Sequence, residues 1–188
     1  VGARASSLMV EPTASRILVI KLAALGDFAQ AIGPFAAIRR HHGDTAGAHV
    51  TLLTTAPYAP LAEAGGWFDE VWTDERPPAH RVGAWLALRR RLRAARFSRV
   101  YDLQTSDRSA FYYRLFWPGP MPEWSGIARG CSHPHANPRR DFMHTLERQK
   151  EQLRMAGIAE VPEPDLSWVE ADTGRFQLAA RFGLVVAG

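Results

Sequence analysis

Short apolar runs alternate along the chain with longer segments in which apolar residues recur at helical spacing. The run Arg16–Ile20 is rich in β-branched residues and has no polar alternation, which is typical of a strand buried on both faces of a sheet. The segment 28–40 that follows repeats apolar residues with a period near that of an α-helix, and Pro34 inside it predicts a kink. The chain therefore opens with a strand, a small-residue turn and a helix.

The same alternation continues to the glycine at residue 157. Strands are predicted at residues 16–20, 50–54, 70–73, 99–103 and 123–127. Helices are predicted at residues 28–40, 57–64, 82–95, 106–117 and 141–156, with Gly157 fitting the end of the last one. The segment 129–140, rich in His, Pro and Arg, is predicted to be a loop.

Strands that alternate with helices of about a dozen residues indicate an α/β fold with helices on both faces of a parallel sheet. Right-handed crossovers then favour a Rossmann-like, doubly wound sheet with strand order 3-2-1-4-5. Ligands bind such sheets beyond the carboxyl ends of the strands. The loops predicted there are residues 21–27, 54–55, 74, 104–108 and 129–135.

Composition narrows the class of protein without choosing a function. The 188 residues are 46% hydrophobic and 22% charged, which excludes a disordered or fibrous chain. The single cysteine, Cys131, excludes an intrachain disulfide. The net charge of +4 permits an acidic partner but does not select one. Lys21 and Asp27 interrupt the apolar stretch 17–38, which argues against a signal peptide, and no apolar run is long enough to span a membrane.

The pattern predicts three parts of unequal size. Residues 1–15 have no period and are expected to form a loose tail. Residues 16–160 are expected to form one Rossmann-like domain, and residues 161–188 a linker with the start of a second domain. The apolar run 184–188 has the pattern of a strand that enters a glycine turn, so we expect the chain to be a fragment that is truncated where that second domain begins.

The first loop carries the candidate with the clearest chemistry. Residues 23–27 lack both the glycine fingerprint of a dinucleotide site and the Lys-Ser/Thr of a P-loop, so neither NAD nor a nucleoside triphosphate is expected here. Gly26 is expected to permit a tight turn. Asp27 then has two interpretations: an acid that stabilises the start of a helix, or a general base that takes a proton from an attacking hydroxyl.

Two further loops at the same edge carry polar side chains. The fourth strand ends in a cluster suited to a sugar or phosphate, whose members could equally cap the next helix: Asp102, Gln104, Ser106, Asp107 and Arg108. The loop 131–135 holds one Cys and two His but has no standard zinc spacing, so no metal is predicted. Arg129, Arg139 and Arg140 flank that loop and fit either a phosphate-rich ligand or a solvated surface.

The helix at 82–95 has a basic face formed by Arg89, Arg90, Arg91 and Arg93, with Arg96 just beyond it. The face is either solvated or in contact with anionic lipid head groups. The aromatic residues at positions 111–117 are expected to be mostly core, with some lining an interface to a lipid or another domain.

Three segments resemble glycosyltransferase family 9, the family of ADP-heptose:lipopolysaccharide heptosyltransferases. They are residues 16–27, ending in Leu-Gly-Asp; Asp102-Leu103-Gln104 followed by Arg108 and Ser109; and residues 144–158, which include His144, Glu147-Arg148, Leu153 and Gly157-Ile158. Together they span about the N-terminal domain of that family. Ala23 and Ala24 stand where the family often has hydroxyl residues, and Thr105 stands where glycine is common.

The resemblance implies half of a GT-B enzyme, a bacterial inverting transferase that needs no metal or other cofactor. Its substrates would be a nucleotide sugar, ADP-heptose, and a phosphorylated glycolipid acceptor of the lipopolysaccharide core. Asp27 matches the general base and Arg108 a basic acceptor position, and the acceptor side is expected to include Lys21, Gly26, Gln104 and Arg129.

The family binds the donor nucleotide mainly with its C-terminal domain, so this chain alone is expected to be inactive. The resemblance further implies a cytoplasmic protein, peripheral on the inner membrane, that does not bind nucleic acid.

A different class of function stays open beside the transferase. A non-catalytic α/β module that binds an anionic ligand or partner would show the same strand and helix pattern and the same basic charge. A nucleotide-dependent oxidoreductase is disfavoured by the missing glycine fingerprint.

Overall fold

The computed structural model describes residues 15–43 and 47–169, and within them the chain forms one parallel six-stranded sheet. The strand order is β3-β2-β1-β4-β5-β6, with every neighbouring pair parallel. The strands are β1 Arg16–Ile20, β2 His49–Thr54, β3 Glu70–Thr73, β4 Arg99–Asp102, β5 Glu123–Gly126 and β6 His133–Pro134. The predicted loose tail, apart from residue 15, and the predicted strand at 184–188 lie outside the described residues.

Six α-helices flank the sheet within the described part of the chain: five lie between strands, and α6 follows the last strand. They are α1 Leu25–Gln30, α2 Ile32–Gly43, α3 Ala59–Ala64, α4 Val82–Ala94, α5 Asp107–Arg114 and α6 Thr145–Met155. Short 3-10 turns stand at Ala56–Tyr58 and Arg140–Phe142. No helix here combines the length and the apolar character that a bilayer crossing requires.

The sheet separates two apolar cores because alternate strand residues point to opposite faces. In β1, Ile17 and Val19 pack in a core with α1, α2 and α6. Leu18 and Ile20 pack on the other face in a core with α4 and α5. All four side chains are fully buried, as the unbroken apolar run predicted.

The predicted order 3-2-1-4-5 is confirmed, and the sheet has one strand more than predicted. The segment 129–140 is not entirely a loop, because His133–Pro134 pairs with β5 as an edge strand. A two-residue strand leaves no period in the sequence. Proline, which lacks a donor for a further neighbour, suits the outermost position of a sheet.

The helix predicted at 28–40 is two helices, α1 and α2, that meet at Ala31. Pro34 does interrupt the helix as predicted, but the break lies at Ala31, before the proline and not at it. A proline ring clashes with the carbonyl four residues earlier, here that of Gln30, so the helix breaks there. Pro34 itself lies in the first turn of α2, where its missing N–H costs nothing.

The observed starts of two other helices differ from the predicted starts for local reasons. Ser106 is the N-cap of α5 and forms a capping box with Ser109, so that helix begins at Asp107. The predicted start of α6 at 141 is wrong, because a separate 3-10 turn occupies 140–142 before His144 caps the helix. Gly157 follows α6 with a φ of +93°, the left-handed position expected of a residue that ends a helix.

We predict that Gly33→Ala lowers the free energy of unfolding. A Cβ at Gly33, in α2, would lie 2.1 Å from the carbonyl oxygen of Pro162, a backbone atom that cannot rotate away. Overpacking of this kind costs about 1–3 kcal/mol. Chemical denaturation monitored by circular dichroism measures the change.

The matched control is Gly83→Ala in α4, where a Cβ would meet nothing within 4 Å. There alanine should raise stability by about 0.5–1 kcal/mol, because glycine is the poorer helix former. Equal effects of the two variants would contradict the close approach of Pro162 to α2.

Candidate functional site

The candidate site lies where the two central strands end side by side. In the register of β1 and β4, Ile20 is paired with Asp102 at the carboxyl edge. The Ile20 carbonyl accepts hydrogen bonds from the N–H groups of Leu103 and Gln104, at 3.0 and 3.1 Å. The two loops therefore leave the sheet in contact, at the edge where parallel sheets bind ligands.

The side chain of Gln104 joins these loops. Its Oε1 accepts hydrogen bonds from the N–H groups of Leu22 and Ala23, at 2.8 and 3.1 Å. These donors follow β1 and have no strand partner, so the amide supplies the bonds that the backbone requires. In the described part of the chain, Nε2 of Gln104 donates to no protein group, which leaves it available to a ligand.

Asp102 lies beneath Gln104 and is fully buried. Its Oδ1 accepts hydrogen bonds from the N–H groups of Gln104 and Thr105, at 3.1 and 3.0 Å, while Oδ2 has no partner among the described residues. Burial raises the pKa of this carboxyl to about 6, against the lowering effect of these hydrogen bonds. Thr105 has a φ of +46°, a conformation that a β-branched residue rarely adopts and that glycine would adopt freely.

Lys21 follows β1 directly and is only 2% exposed. Its Nζ donates to the carbonyl of Leu103 at 3.3 Å. Burial lowers the pKa of this ammonium to about 8, and the nearby Asp27 carboxylate opposes that shift. Lys21 thus places a buried positive charge beneath the loop that leads to Asp27.

Asp27 is the third residue of α1, half-buried at the carboxyl edge of the central strand. The N-cap of α1 is Ala24, and no side chain caps this helix, so Asp27 is a first-turn acid but not the cap. Within the described residues its carboxylate accepts no hydrogen bond. The two interpretations of Asp27 are therefore compatible: it complements the helix dipole and keeps its oxygens free to take a proton.

Gly26 lies inside α1 and not in a tight turn, so the expected turn is wrong. A Cβ at this position would meet nothing within 4 Å, and the residue is exposed. The missing side chain therefore leaves open space directly beside Asp27.

Arg108, in the first turn of α5, reaches towards the loop between β3 and α4. Its Nη1 and Nη2 atoms each lie 3.4 Å from the Pro77 carbonyl oxygen, and its guanidinium lies 5.4 Å from the centre of the Trp85 ring. In the same region the buried Asp74 accepts a hydrogen bond from the Tyr112 hydroxyl. These contacts hold a cationic side chain half-exposed beside the edge.

Arg129 lies on the other side of α5, exposed in the loop after β5. It lines a shallow groove of about 260 Å³ together with Asp107 and Arg114. At β6, His133 bonds to Ser132 at 2.9 Å, and just after it His135 bonds to Glu151 at 2.7 Å. Among the residues that the structure describes, no three His, Cys, Asp or Glu side chains form a group that could hold a metal ion.

The structure thus brings Lys21, Asp27 and Gln104 together at one edge, with Arg108 and Arg129 on either side of α5. Sequence reasoning gave Gln104 a ligand-binding role and missed that it organises the loop. It also missed the support from α6, where Gln152 donates to the carbonyl oxygen of Asp102 at 2.9 Å. The sequence does hold one sign of this support, because two glutamines, residues 149 and 152, lie on the apolar side of an amphipathic helix.

Comparison with solved structures identifies the fold. The structure resembles a family 9 glycosyl transferase from Veillonella parvula, with a TM-score of 0.63 and 17% identity, over 79% of this chain and 43% of that one. It resembles the E. coli heptosyltransferase WaaC, solved with ADP-2-deoxy-2-fluoro heptose, with a TM-score of 0.54 and 19% identity, over 79% and 50%. It also resembles E. coli ADP-heptose lps heptosyltransferase II, with a TM-score of 0.56 and 17% identity, over 88% and 51%.

These likenesses show an α/β, Rossmann-like fold that matches GT-B glycosyltransferase structures. The chain spans about half the length of the solved proteins that it matches, 43% to 51%. No protein-family model matches the sequence, and no curated protein matches it significantly.

We predict that Gln104→Leu destabilises the loop that precedes α1. The substitution leaves the N–H groups of Leu22 and Ala23 without an acceptor, which costs about 1–3 kcal/mol. Hydrogen exchange at these two amides should become faster. Gln104→Glu keeps an acceptor oxygen and should retain their protection; unchanged exchange in Gln104→Leu would contradict the assigned contacts.

We predict that Asp102 makes stability fall as pH rises from about 4 to about 6. Its pKa is about 6 in the folded protein, against 3.8 for the ordinary group, so in this window the folded state holds the extra proton. The loss is about 3 kcal/mol, since each pKa unit is worth about 1.4 kcal/mol.

Asp102→Asn should remove this part of the pH dependence while keeping an oxygen that accepts the loop N–H groups. The difference in unfolding free energy between wild type and variant, measured across the window, isolates the group. The exposed Asp107→Asn serves as control. Parallel curves for wild type and Asp102→Asn would count against the buried carboxyl.

Proposed function

We propose that this chain is the acceptor-side half of an inverting glycosyltransferase. The complete protein would transfer heptose from ADP-heptose to a phosphorylated glycolipid acceptor of the lipopolysaccharide core. The proposal is supported by the likeness to glycosyltransferase structures and by the carboxylate at the carboxyl edge of β1. Transfer without a metal ion and a position at the cytoplasmic face of the inner membrane belong to the same proposal.

The observation that carries the proposal is the placement of Asp27. It stands at the central strand of the sheet, its oxygens are not used to cap α1, and Gly26 leaves open space beside it. A general base must reach the proton that it removes, and Asp27 stands in the loop-to-helix segment after β1, at the edge where parallel sheets bind ligands.

The reaction proposed at Asp27 is a single displacement. The O–H bond of the acceptor hydroxyl breaks, and its proton passes to a carboxylate oxygen of Asp27. The hydroxyl oxygen forms a bond to the anomeric carbon of the donor sugar, from the face opposite the leaving group. The anomeric carbon–phosphate oxygen bond breaks, and its electron pair leaves with the nucleoside diphosphate. The configuration at the anomeric carbon is inverted.

The residues around Asp27 have separate roles in this scheme. The buried Lys21 ammonium lies close enough to Asp27 that the carboxylate raises the pKa of Lys21, against the larger lowering by burial. Nε2 of Gln104, which donates to no group among the described residues, would donate to a sugar oxygen. Arg108 and Arg129 offer charge to the phosphates of the acceptor.

We propose that the donor site lies in a part of the protein outside this chain. The chain spans about half of the solved glycosyltransferases that it matches. Stabilisation of the leaving diphosphate would come from groups outside this sheet.

We predict that Asp27→Asn, in the complete protein that contains this chain, lowers kcat by about two to four orders of magnitude. Asparagine has the shape of aspartate but cannot take the proton. The assay follows release of nucleoside diphosphate and the mass of the glycolipid product. Circular dichroism and thermal unfolding check that the variant is folded.

The matched control is Asp141→Asn, an exposed acid in a separate 3-10 turn, which should keep wild-type turnover. Near-normal turnover of Asp27→Asn would remove Asp27 from the base role. Absence of transfer by the wild-type protein, with tight binding of a nucleotide sugar to this chain alone, would favour the non-catalytic module.

A further inference from the structure

The chain that follows α6 is described to residue 169, and it runs back along α2. We call residues 160–168 the strap. Nη2 of Arg40, in the last turn of α2, donates to the carbonyl oxygen of Glu160 at 3.2 Å. In the first turn of α2, the Pro162 carbonyl oxygen lies only 2.1 Å from where a Cβ of Gly33 would stand. The strap therefore contacts both ends of this helix.

The strap is tied to α6 as well as to α2. Nζ of Lys150, in α6, donates to Oε1 of Glu163 and forms an ion pair with it. Because Glu163 is exposed, the pair places the strap more than it stabilises it. Pro162 and Pro164 stand on either side of Glu163, and each proline ring fixes one backbone φ. The strap therefore loses little conformational freedom when it bridges the two helices.

The far end of the strap closes on an aromatic residue outside both helices. The ring centres of Trp168 and Trp67 are 5.3 Å apart with an interplanar angle of 79°, an edge-to-face arrangement that aromatic pairs favour. The ring of Trp67 also lies 6.0 Å from that of Phe35, in α2. Nε1 of Trp168 donates to the carbonyl oxygen of Asp165 at 2.8 Å, which fixes the orientation of the indole. We call the two tryptophans the clasp.

The helix α2 connects the strap to the candidate site. α1, which carries Asp27, ends at the junction Ala31, and α2 begins directly after it. Gly33 lies in the first turn beyond this junction, with the Pro162 carbonyl against it. The second support of the strap, α6, also packs against α1. A displacement of the strap would therefore move both helices that hold α1 in place.

We propose that the strap positions Asp27, by holding α2 against α6 and so fixing the direction of α1. The strap and the clasp act through these helices, so their residues are positioning residues, and Asp27 is the group that meets the substrate. A segment that only covered α2 would protect that helix and leave α1 unaffected. The hold on α1 is a property of this chain, whereas its value for turnover rests on the function proposed above.

The first test is hydrogen exchange in this chain. The reporters are the N–H groups of Phe28 in α1 and Phe35 in α2, which donate to the carbonyl oxygens of Ala24 and Ala31 at 2.8 Å. Trp168→Ala removes the clasp and should speed exchange at both by about two- to tenfold, the factor that an edge-to-face aromatic pair contributes. Trp168→Phe keeps a ring at the clasp and should restore most of the protection.

The matched control is Leu166→Ala, which shortens an exposed side chain of the same strap and should leave both rates unchanged. The N–H of Trp124, in β5, reports on the sheet and should keep its rate in Trp168→Ala. Faster exchange at Phe35 alone would make the strap a cover for α2 and overturn the proposal, as would unchanged rates. Equal acceleration at all three amides would mean a general loss of stability, which also overturns it.

A double-mutant cycle tests the clasp itself. Trp67→Ala and Trp168→Ala should each lower the denaturant midpoint of unfolding. The double variant should lower it by less than the sum of the two shifts, because residues in contact couple. Additive shifts would show that the two rings do not meet, and the strap would then lack its second anchor.

The complete protein that contains this chain tests the consequence for turnover. Trp168→Ala should lower kcat about tenfold with little change in KM, since a displaced base slows the reaction more than it weakens binding. Trp168→Phe should recover the rate. Full kcat in Trp168→Ala would overturn the positioning role and leave the proposed function standing. Absence of transfer by the wild-type protein would overturn the proposed function, while the exchange rates still decide whether the strap holds α1.

Discussion

The contact between the ends of β1 and β4 is the constraint on which the candidate site depends. Two central parallel strands end at the same edge, and their chains leave the sheet with backbone donors that have lost their strand partners. The side chain of Gln104 accepts hydrogen bonds from two of these donors, the N–H groups of Leu22 and Ala23. The side chain of Asp102 accepts from the N–H groups of Gln104 and Thr105, the first of which also donates to the Ile20 carbonyl. Each side chain accepts hydrogen bonds from nearby backbone N–H groups, and these bonds set the direction in which the loop leads into α1. Asp27 is placed by this loop, so its position is a consequence of how the sheet edge satisfies its hydrogen bonds.

This arrangement is costly for stability. Asp102 is buried with an unpaired oxygen, Lys21 is buried with its charge, and Thr105 holds a left-handed conformation. Each feature is unfavourable by itself, because burial penalises charge and the left-handed region penalises a β-branched residue. The surrounding core supports them: β1 is apolar and fully buried from Ile17 to Ile20. Unfavourable local features held by a rigid frame concentrate at functional sites, and here they lie at the ends of β1 and β4 and in the loop that follows β4.

Much of the sheet and its helices could be predicted, because the pattern that indicates each element lies within that element. The apolar run of β1 and the alternation of strands and helices fixed the parallel order, and the order placed Asp27 at the central edge. Features that depend on distant partners left no such pattern. Gln104 and Leu22 are 82 residues apart, and nothing near either residue indicates that they meet. The break at Ala31 was displaced because proline acts on the carbonyl four residues earlier. The strand at His133–Pro134 has too few residues to show a period, and the φ of Thr105 has no signature in its side chain.

The topology also places the candidate site and the arginines of α4 at opposite edges of the sheet. In a parallel sheet each helix returns from the carboxyl edge to the amino edge before the next strand begins. α4 therefore starts near the candidate site and ends near the opposite edge, with Arg96 just beyond it. Residues 117–121 enter β5 at the same edge. A strand of five or six residues separates the edges by about 15–20 Å. Asp27 and the arginines at the C-terminal end of α4 thus lie at opposite edges of one sheet. An anion held by the arginines does not compete for the space beside Gly26, and a substrate at Asp27 leaves Trp117 exposed.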